Sequence, residues 1–167
     1  MLEVINTKVE FNKESKISSS ESNDCVVRAI ASSFEISYDD AHEFSKNKFA
    51  REDNKGTLNF VPKISLIKKA FGKSITPLGE IWKEDLGVNF YVGKRLFKGR
   101  SNRPSRNFCV INYTTNSFIK DYPLGTYLVV VSGHAFTIKD GIIYGNNSDS
   151  RKIKSRLHNV FKIENIG

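Results

Sequence analysis

The chain has 167 residues, of which 39% are hydrophobic and 26% charged, a composition that is ordinary for a soluble globular protein with one substantial core. No apolar run approaches the roughly 20 residues that a membrane-spanning helix needs, which excludes a helical membrane protein. The formal net charge is +8, so polyanionic partners need to be considered. We expect a single domain over residues 1–167.

The cysteines and the N-terminus predict the cellular compartment of the protein. Cys25 and Cys109 lie in unlike contexts and do not look like a disulfide framework. Residues 1–6 lack the basic start and the long apolar core of a signal peptide. We therefore expect the protein in a reducing cytoplasm, with no membrane partner.

The strongest concentration of charge is residues 94–106, which hold six basic residues and no acidic one. Such a segment would attract polyanions, either nucleic acid or acidic proteins. The simpler interpretation is a solvated loop, because no zinc finger, RNA-binding aromatic motif or basic heptad run accompanies it. The candidate polyanion contacts are Lys98, Arg100, Arg103 and Arg106.

The first half of the chain predicts helices. Weak alternation in residues 1–22 indicates an N-terminal strand that leads through a serine-rich stretch into a loop. Apolar residues then cover much of the helical circumference from 24 to 34, so this helix should be central, with Asn23 or Asp24 as its N-cap. Residues 37–40 resemble a capping box that opens a second helix, and 62–72 predict a third that ends at a glycine. Residues 73–107 give no clear pattern.

The second half predicts strands. Residues 108–111, 126–131, 134–139, 142–144 and 160–163 are β-rich, and 115–122 form one or two helical turns between the first two of them. Asp140-Gly141 is a strong signal for a two-residue hairpin turn. Helices first and an antiparallel sheet second indicate an α+β fold.

Cys25 is the first candidate for chemistry. A cysteine in the first turn of a helix lies where unpaired backbone N–H groups converge, and these lower the pKa of a thiol and can stabilise an oxyanion. The alternative for any cysteine is core packing. That alternative fits Cys109, between Phe108 and Val110, better than it fits Cys25.

His134, at the head of an apolar strand, is the second candidate, although alone it is better explained as a core hydrogen-bond donor. If Asp140 and Gly141 are the turn residues, Lys139 pairs with Ile142, and counting back places His134 opposite Asn147. An amide or carboxylate there can fix the tautomer of an imidazole. Asn146 and Asp149 are candidates if the strand frays or a bulge shifts the register, and the alternative is that 145–149 form only a turn.

We predict neither a metal site nor a cofactor. The three histidines and two cysteines have no ligand spacing such as CxxC or HxxxH. The glycines are too dispersed for a phosphate-binding loop.

Two segments, residues 23–29 (NDCVVRA) and 125–135 (GTYLVVVSGHA), resemble papain-like cysteine peptidases. Within that class they resemble a group of small, mostly phage-encoded proteins related in pattern to the double-glycine leader peptidases of bacteriocin exporters. The order of cysteine, histidine and then asparagine or aspartate matches the papain order. The resemblance implies a papain-like fold, with N-terminal helices packed on a C-terminal antiparallel sheet, and cleavage of a peptide or isopeptide bond through a thioester.

The resemblance also implies roles for residues. Cys25 would be the nucleophile, His134 the general base and acid, and Asn147, Asn146 or Asp149 the residue that orients the histidine. Such enzymes place a glutamine about six residues before the cysteine as an oxyanion-hole donor, where this chain has Ser19, so Asn23 would substitute through its side-chain amide. Related proteins also tend to carry an aspartate directly after the strand, where this chain has 145–147 (GNN).

Two functions of different classes follow. The first is a thiol-dependent hydrolase, phage-encoded and acting on a host or phage protein in the bacterial cytoplasm. The alternative is a catalytically weak or inactive fold that serves as a basic binding or inhibitor module for a host protein or nucleic acid. The sequence names neither a substrate nor an oligomeric state.

Overall fold

A computed structural model describes residues 2–57, 60, 63–78, 97–101, 109–150 and 157–166, and every structural statement below concerns these residues. The helices are α1 (Thr7–Glu14), α2 (Lys16–Ser20), α3 (Cys25–Phe34), α4 (Tyr38–Phe49), α5 (Ser65–Phe71) and α6 (Thr115–Asp121). Within the described ranges, none of them has the length and hydropathy needed to cross a bilayer.

The strands form two sheets. They are β1 (Val4–Asn6), β2 (Lys73–Pro77), β3 (Phe97–Ser101), β4 (Cys109–Asn112), β5 (Thr126–Val131), β6 (His134–Lys139), β7 (Ile142–Gly145) and β8 (Asn159–Asn165). The main sheet has the order β1-β7-β6-β5-β8-β2, and β3 pairs with β4 in a separate ribbon. A short 3-10 helix, Asn147–Ser150, follows β7.

The α+β class is confirmed, but the prediction of a purely antiparallel, C-terminal sheet is wrong. β1 runs parallel to β7, and both edge strands of the main sheet, β1 and β2, come from the first half of the chain. A parallel pair needs a long connection, and here residues 7–141, including β2, β5 and β6 of the same sheet, lie between the two strands in sequence. The N-terminal strand is also shorter than predicted, because the chain enters α1 directly after Asn6, whose side chain caps that helix.

The main sheet is covered on both faces. One face of β5 contributes Leu128 to a core that contains α3 and α4, and the alternate residues Val129 and Val131 pack on the other face with Phe118 of α6. Burial on both faces explains why β5 is a continuous apolar run rather than an alternating one.

Helix α3 lies directly against β6. Its side chains Val27, Ile30 and Phe34 are fully buried, each stabilising the fold by about 1.5 to 3 kcal/mol relative to an exposed position. The hydroxyl of Thr137, in the middle of β6, donates to the backbone carbonyl of Ala29 at 2.9 Å in the buried interface. This packing fixes the first turn of α3 beside the first residue of β6.

Candidate active site

Cys25 is the first residue of α3 and is half-buried. Asp24 stands at the N-cap position, as one of the two predicted caps, but its side chain makes no capping hydrogen bond to the first turn. The first-turn N–H groups of α3 therefore receive no bond from the residue that would normally cap them. The thiol lies at the positive end of a ten-residue helix.

The side chains of Cys25 and His134 interact with each other, since each lies close enough to shift the pKa of the other. On the other edge of the imidazole, Nε2 of His134 lies 2.9 Å from Oδ1 and 3.0 Å from Oδ2 of Asp149. Because Nε2 faces the carboxylate, Nδ1 is the ring nitrogen left to interact with the thiol. The three side chains thus form a line of thiol, imidazole and carboxylate, drawn from α3, β6 and the 3-10 helix.

The pKa of the Cys25 thiol lies below its usual value. Burial alone would raise this pKa, but hydrogen bonds from the His134 side chain and the Ala135 backbone, together with the charges of His134 and Arg28, more than offset that effect. The surroundings of the thiol therefore favour its thiolate form.

The pKa of His134 shifts in the opposite direction. Burial would lower it, but the hydrogen bonds and negative charges of Asp149 and Cys25 raise it to about 9. The side chain of His134 is 10% exposed and that of Asp149 only 1%, so solvent screens these charges weakly. Both shifts favour the charged form of the pair, a thiolate beside an imidazolium.

Asn147 does not occupy the position that the hairpin count predicts. The turn register is confirmed, since Lys139 pairs with Ile142, but the β6–β7 pairing extends only to Thr137 and Tyr144. Strand β7 ends at Gly145, and the chain then enters the 3-10 helix that begins at Asn147. The structure therefore places Asp149, rather than Asn147, against the imidazole of His134.

Asn146 supports the carboxylate without contacting the imidazole. Its backbone N–H donates to Oδ2 of Asp149 at 2.7 Å, and its side-chain oxygen accepts a hydrogen bond from Arg28 at 2.8 Å. Of the three candidates, Asp149 faces the imidazole and Asn146 donates a backbone hydrogen bond to Asp149. Asn147 begins the 3-10 helix between them.

Gly145 is required by the close approach of Asp149. A Cβ atom at position 145 would lie 2.3 Å from Oδ2 of Asp149 and 3.0 Å from Cβ of Phe136. The carboxylate therefore occupies the space that a side chain at position 145 would need.

The two predicted oxyanion-hole side chains are engaged elsewhere. The hydroxyl of Ser19, on α2, is exposed and donates to the carbonyl of Ser15 at 3.3 Å. The amide of Asn23 donates to the carbonyl of Asn54 at 3.0 Å, which holds this exposed side chain against a neighbouring loop. Both residues bond to backbone carbonyls within their own surroundings, so neither role finds support in the geometry.

An ion-pair cluster that the sequence did not predict surrounds Asp24. Its carboxylate accepts hydrogen bonds from Tyr38 at 2.7 Å, from Arg28 at 2.9 Å and from Lys8 at 3.1 Å. Burial would raise the pKa of Asp24, but these partners hold it below the usual range. The i,i+4 spacing of Asp24 and Arg28 is the one local signal that could have found the pair.

A second buried cluster holds the loop before the nucleophile. Glu21 accepts hydrogen bonds from His42 and Arg51, both at 2.8 Å, and from the backbone N–H of Asn54 at 2.9 Å. Glu21, His42 and Asp53 present ligand atoms within 4.8 Å of one another, but a fully buried guanidinium already neutralises Glu21. This arrangement fits an ion pair better than a cation site.

Replacing Arg51 with leucine should destabilise the fold by about 3 to 5 kcal/mol, because it removes the guanidinium that neutralises the buried Glu21 carboxylate. The matched control is Lys46→Ala, which removes a partner of the exposed residue Asp53 and should change the free energy of unfolding by less than about 1 kcal/mol. Urea denaturation of both variants measures the difference. Equal, small effects would show that the Glu21–Arg51 pair does not stabilise this loop.

The remaining predicted residues lie at the margin of the described structure. Lys98 and Arg100 belong to β3, and Cys109 begins β4, but their side chains are not among those described. Arg103 and Arg106 lie outside the described residues. The proposed polyanion contacts therefore stay a prediction.

Comparisons with known proteins found no match. No protein-family model matches the chain, and neither a curated protein nor a solved structure does. The case for a function therefore rests on the geometry of Cys25, His134 and Asp149.

Proposed function

We propose that this protein is a thiol-dependent hydrolase of papain-like fold that cleaves peptide or isopeptide bonds through a thioester on Cys25. The observation that carries the proposal is the succession of thiol, imidazole and buried carboxylate: Nε2 of His134 lies 3.0 Å from Oδ2 of Asp149, and Cys25 and His134 shift each other's pKa. The order of the three residues along the chain and the α+β class support it further.

The geometry supports a two-step reaction. The Cys25 thiolate attacks the carbonyl carbon of the scissile bond, and the resulting oxyanion is stabilised by backbone N–H groups of the first turn of α3. The C–N bond then breaks, and the His134 imidazolium gives its Nδ1 proton to the departing amine. In the second step, His134 removes a proton from water, which attacks the thioester and releases the acid and the free thiol.

Asp149 acts through His134. Its carboxylate at Nε2 keeps the imidazole oriented so that Nδ1 faces sulfur, and its negative charge stabilises the imidazolium. The papain resemblance extends the proposal to a phage-encoded enzyme that acts on a host or phage protein in the bacterial cytoplasm.

The proposal predicts an activated thiol. At pH 6, where an ordinary cysteine with a pKa of about 8.5 is almost wholly protonated, iodoacetamide should alkylate Cys25 at least about 10-fold faster than N-acetylcysteine. Peptide mass spectrometry identifies the labelled residue and compares Cys25 with Cys109 in the same protein.

Acyl transfer needs a second readout. The protein should release nitrophenolate from p-nitrophenyl acetate and carry a transient acetyl thioester on Cys25, whereas Cys25→Ala should do neither. If Cys25 reacts no faster than N-acetylcysteine and ester cleavage is the same in Cys25→Ala, the hydrolase proposal is wrong.

A further inference from the structure

The side chain of Arg28 links the nucleophile to the loop that carries Asp149. Arg28 is 8% exposed and lies one helical turn after Cys25 on α3. Its Nε donates to Oδ1 of Asp24 at 2.9 Å, and its Nη1 donates to Oγ1 of Thr7 at 3.0 Å and to Oδ1 of Asn146 at 2.8 Å. One guanidinium thus binds the residue just before Cys25 and the residue just after β7.

From Asn146 the contacts continue to the imidazole. The backbone N–H of Asn146 and Nε2 of His134 bond to the same oxygen, Oδ2 of Asp149, at 2.7 and 3.0 Å. The contacts therefore connect Asp24 to Cys25 through Arg28, Asn146, Asp149 and His134. Asp24 and Cys25 are neighbours in the sequence, so the connection forms a closed ring.

We propose that Arg28 is a positioning residue of the active site, which acts by holding the Asn146 side chain and so aligning the Asp149 carboxylate with His134. This inference rests on the proposed catalytic roles of Cys25, His134 and Asp149. A buried arginine with a fork of donors suits the task, since it can bind two acceptors in fixed directions.

An alternative explanation is that Arg28 acts on the thiol only through its positive charge, which also lowers the pKa of Cys25. Two variants separate these explanations. Arg28→Lys keeps the charge but loses the forked geometry, while Asn146→Ala keeps Arg28 and also keeps the backbone N–H that bonds to Asp149. If alignment through Asn146 matters, both variants should lower the rate of Cys25 alkylation at pH 6 by about 10-fold.

The double variant gives the sharpest test. Because the two side chains act through one contact, Arg28→Lys combined with Asn146→Ala should lose little more than either single variant. The control is Asn12→Ala on α1, which removes the same kind of side-chain acceptor from the hydroxyl of Ser18, outside the ring, and should leave the alkylation rate within about two-fold.

The outcomes distinguish the two proposals. If the unmodified protein shows no activated Cys25, the hydrolase proposal fails and this inference fails with it. If Cys25 is activated but Asn146→Ala alkylates as fast as the unmodified protein, only the positioning role of Arg28 is wrong. Asn146 is half-buried rather than part of the core, so its alanine variant is expected to fold even if Arg28→Lys does not.

Discussion

Gly145→Ala is expected to slow acylation of Cys25 by about 100-fold while the protein remains folded. The new Cβ would lie 2.3 Å from Oδ2 of Asp149, so the carboxylate must move. That oxygen accepts the bonds from His134 and from the backbone N–H of Asn146, and both are lost when it moves. Nitrophenyl acetate cleavage and circular dichroism measure the two parts of the expectation.

The matched control is Gly56→Ala. A Cβ at position 56 meets no atom within 4 Å, so this variant should keep full activity. The fold itself should lose about 1 to 3 kcal/mol in Gly145→Ala from the crowding against Phe136. Full activity in a folded Gly145→Ala protein would mean that the position of the Asp149 carboxylate does not matter to Cys25.

Asp149→Asn should lower the rate of Cys25 acylation by about 100-fold or more. An asparagine oxygen at the Oδ2 position can still accept from Asn146 and His134, but its NH₂ group then lies where Oδ1 is now, 2.9 Å from Nε2 of His134. Two donors would face each other at that distance, and the charge that stabilises the imidazolium would be gone. The pKa of His134 should fall toward its usual value.

The control for this variant is Asp40→Asn, which removes the same charge from an exposed side chain in the first turn of α4. It should leave both the acylation rate and the pKa of His134 unchanged. Equal activity in Asp149→Asn and Asp40→Asn would remove Asp149 from the mechanism.

Local patterns in the sequence predicted the elements that carry the nucleophile and the base. The predicted helix 24–34 differs from the observed α3, Cys25–Phe34, by one residue. Apolar residues on most of the helical circumference are a strong signal for a buried helix. The hairpin turn at Asp140-Gly141 fixed the register of β6 and β7, because Asp-Gly fits the positive φ angles of 48° and 78° found there.

Counting residues from the hairpin turn could not identify Asp149 as the partner of His134. The count assumed that β7 continues to Asn147, but the chain leaves the sheet after Gly145 and turns through a 3-10 helix. Asp149 reaches His134 only because Gly145 has no side chain. Hydrophobic periodicity cannot predict such a contact across a turn.

Long-range contacts account for the other differences. Three residues of β1 pair with β7 across more than 130 positions of sequence, and such short strands carry almost no pattern of their own. The Arg28 ring depends on Asn146, 118 positions away in sequence, lying beside α3, which only the tertiary fold brings about. The hydroxyl of Ser19 donates to the carbonyl of Ser15 at the start of α2, a local contact that the position of Ser19 in the sequence did not indicate.

The most direct test of the thiolate–imidazolium pair is the NMR titration of His134. With three histidines in the chain, ¹³C-labelled imidazole signals can be assigned by comparison with His134→Gln. We predict that His134 titrates at about 9. In Cys25→Ala its pKa should fall, because the thiolate charge is gone, yet stay above the usual value of about 6.5 because Asp149 remains. A His134 pKa near 6.5 that is the same in Cys25→Ala would contradict the pair and, with it, the proposed mechanism.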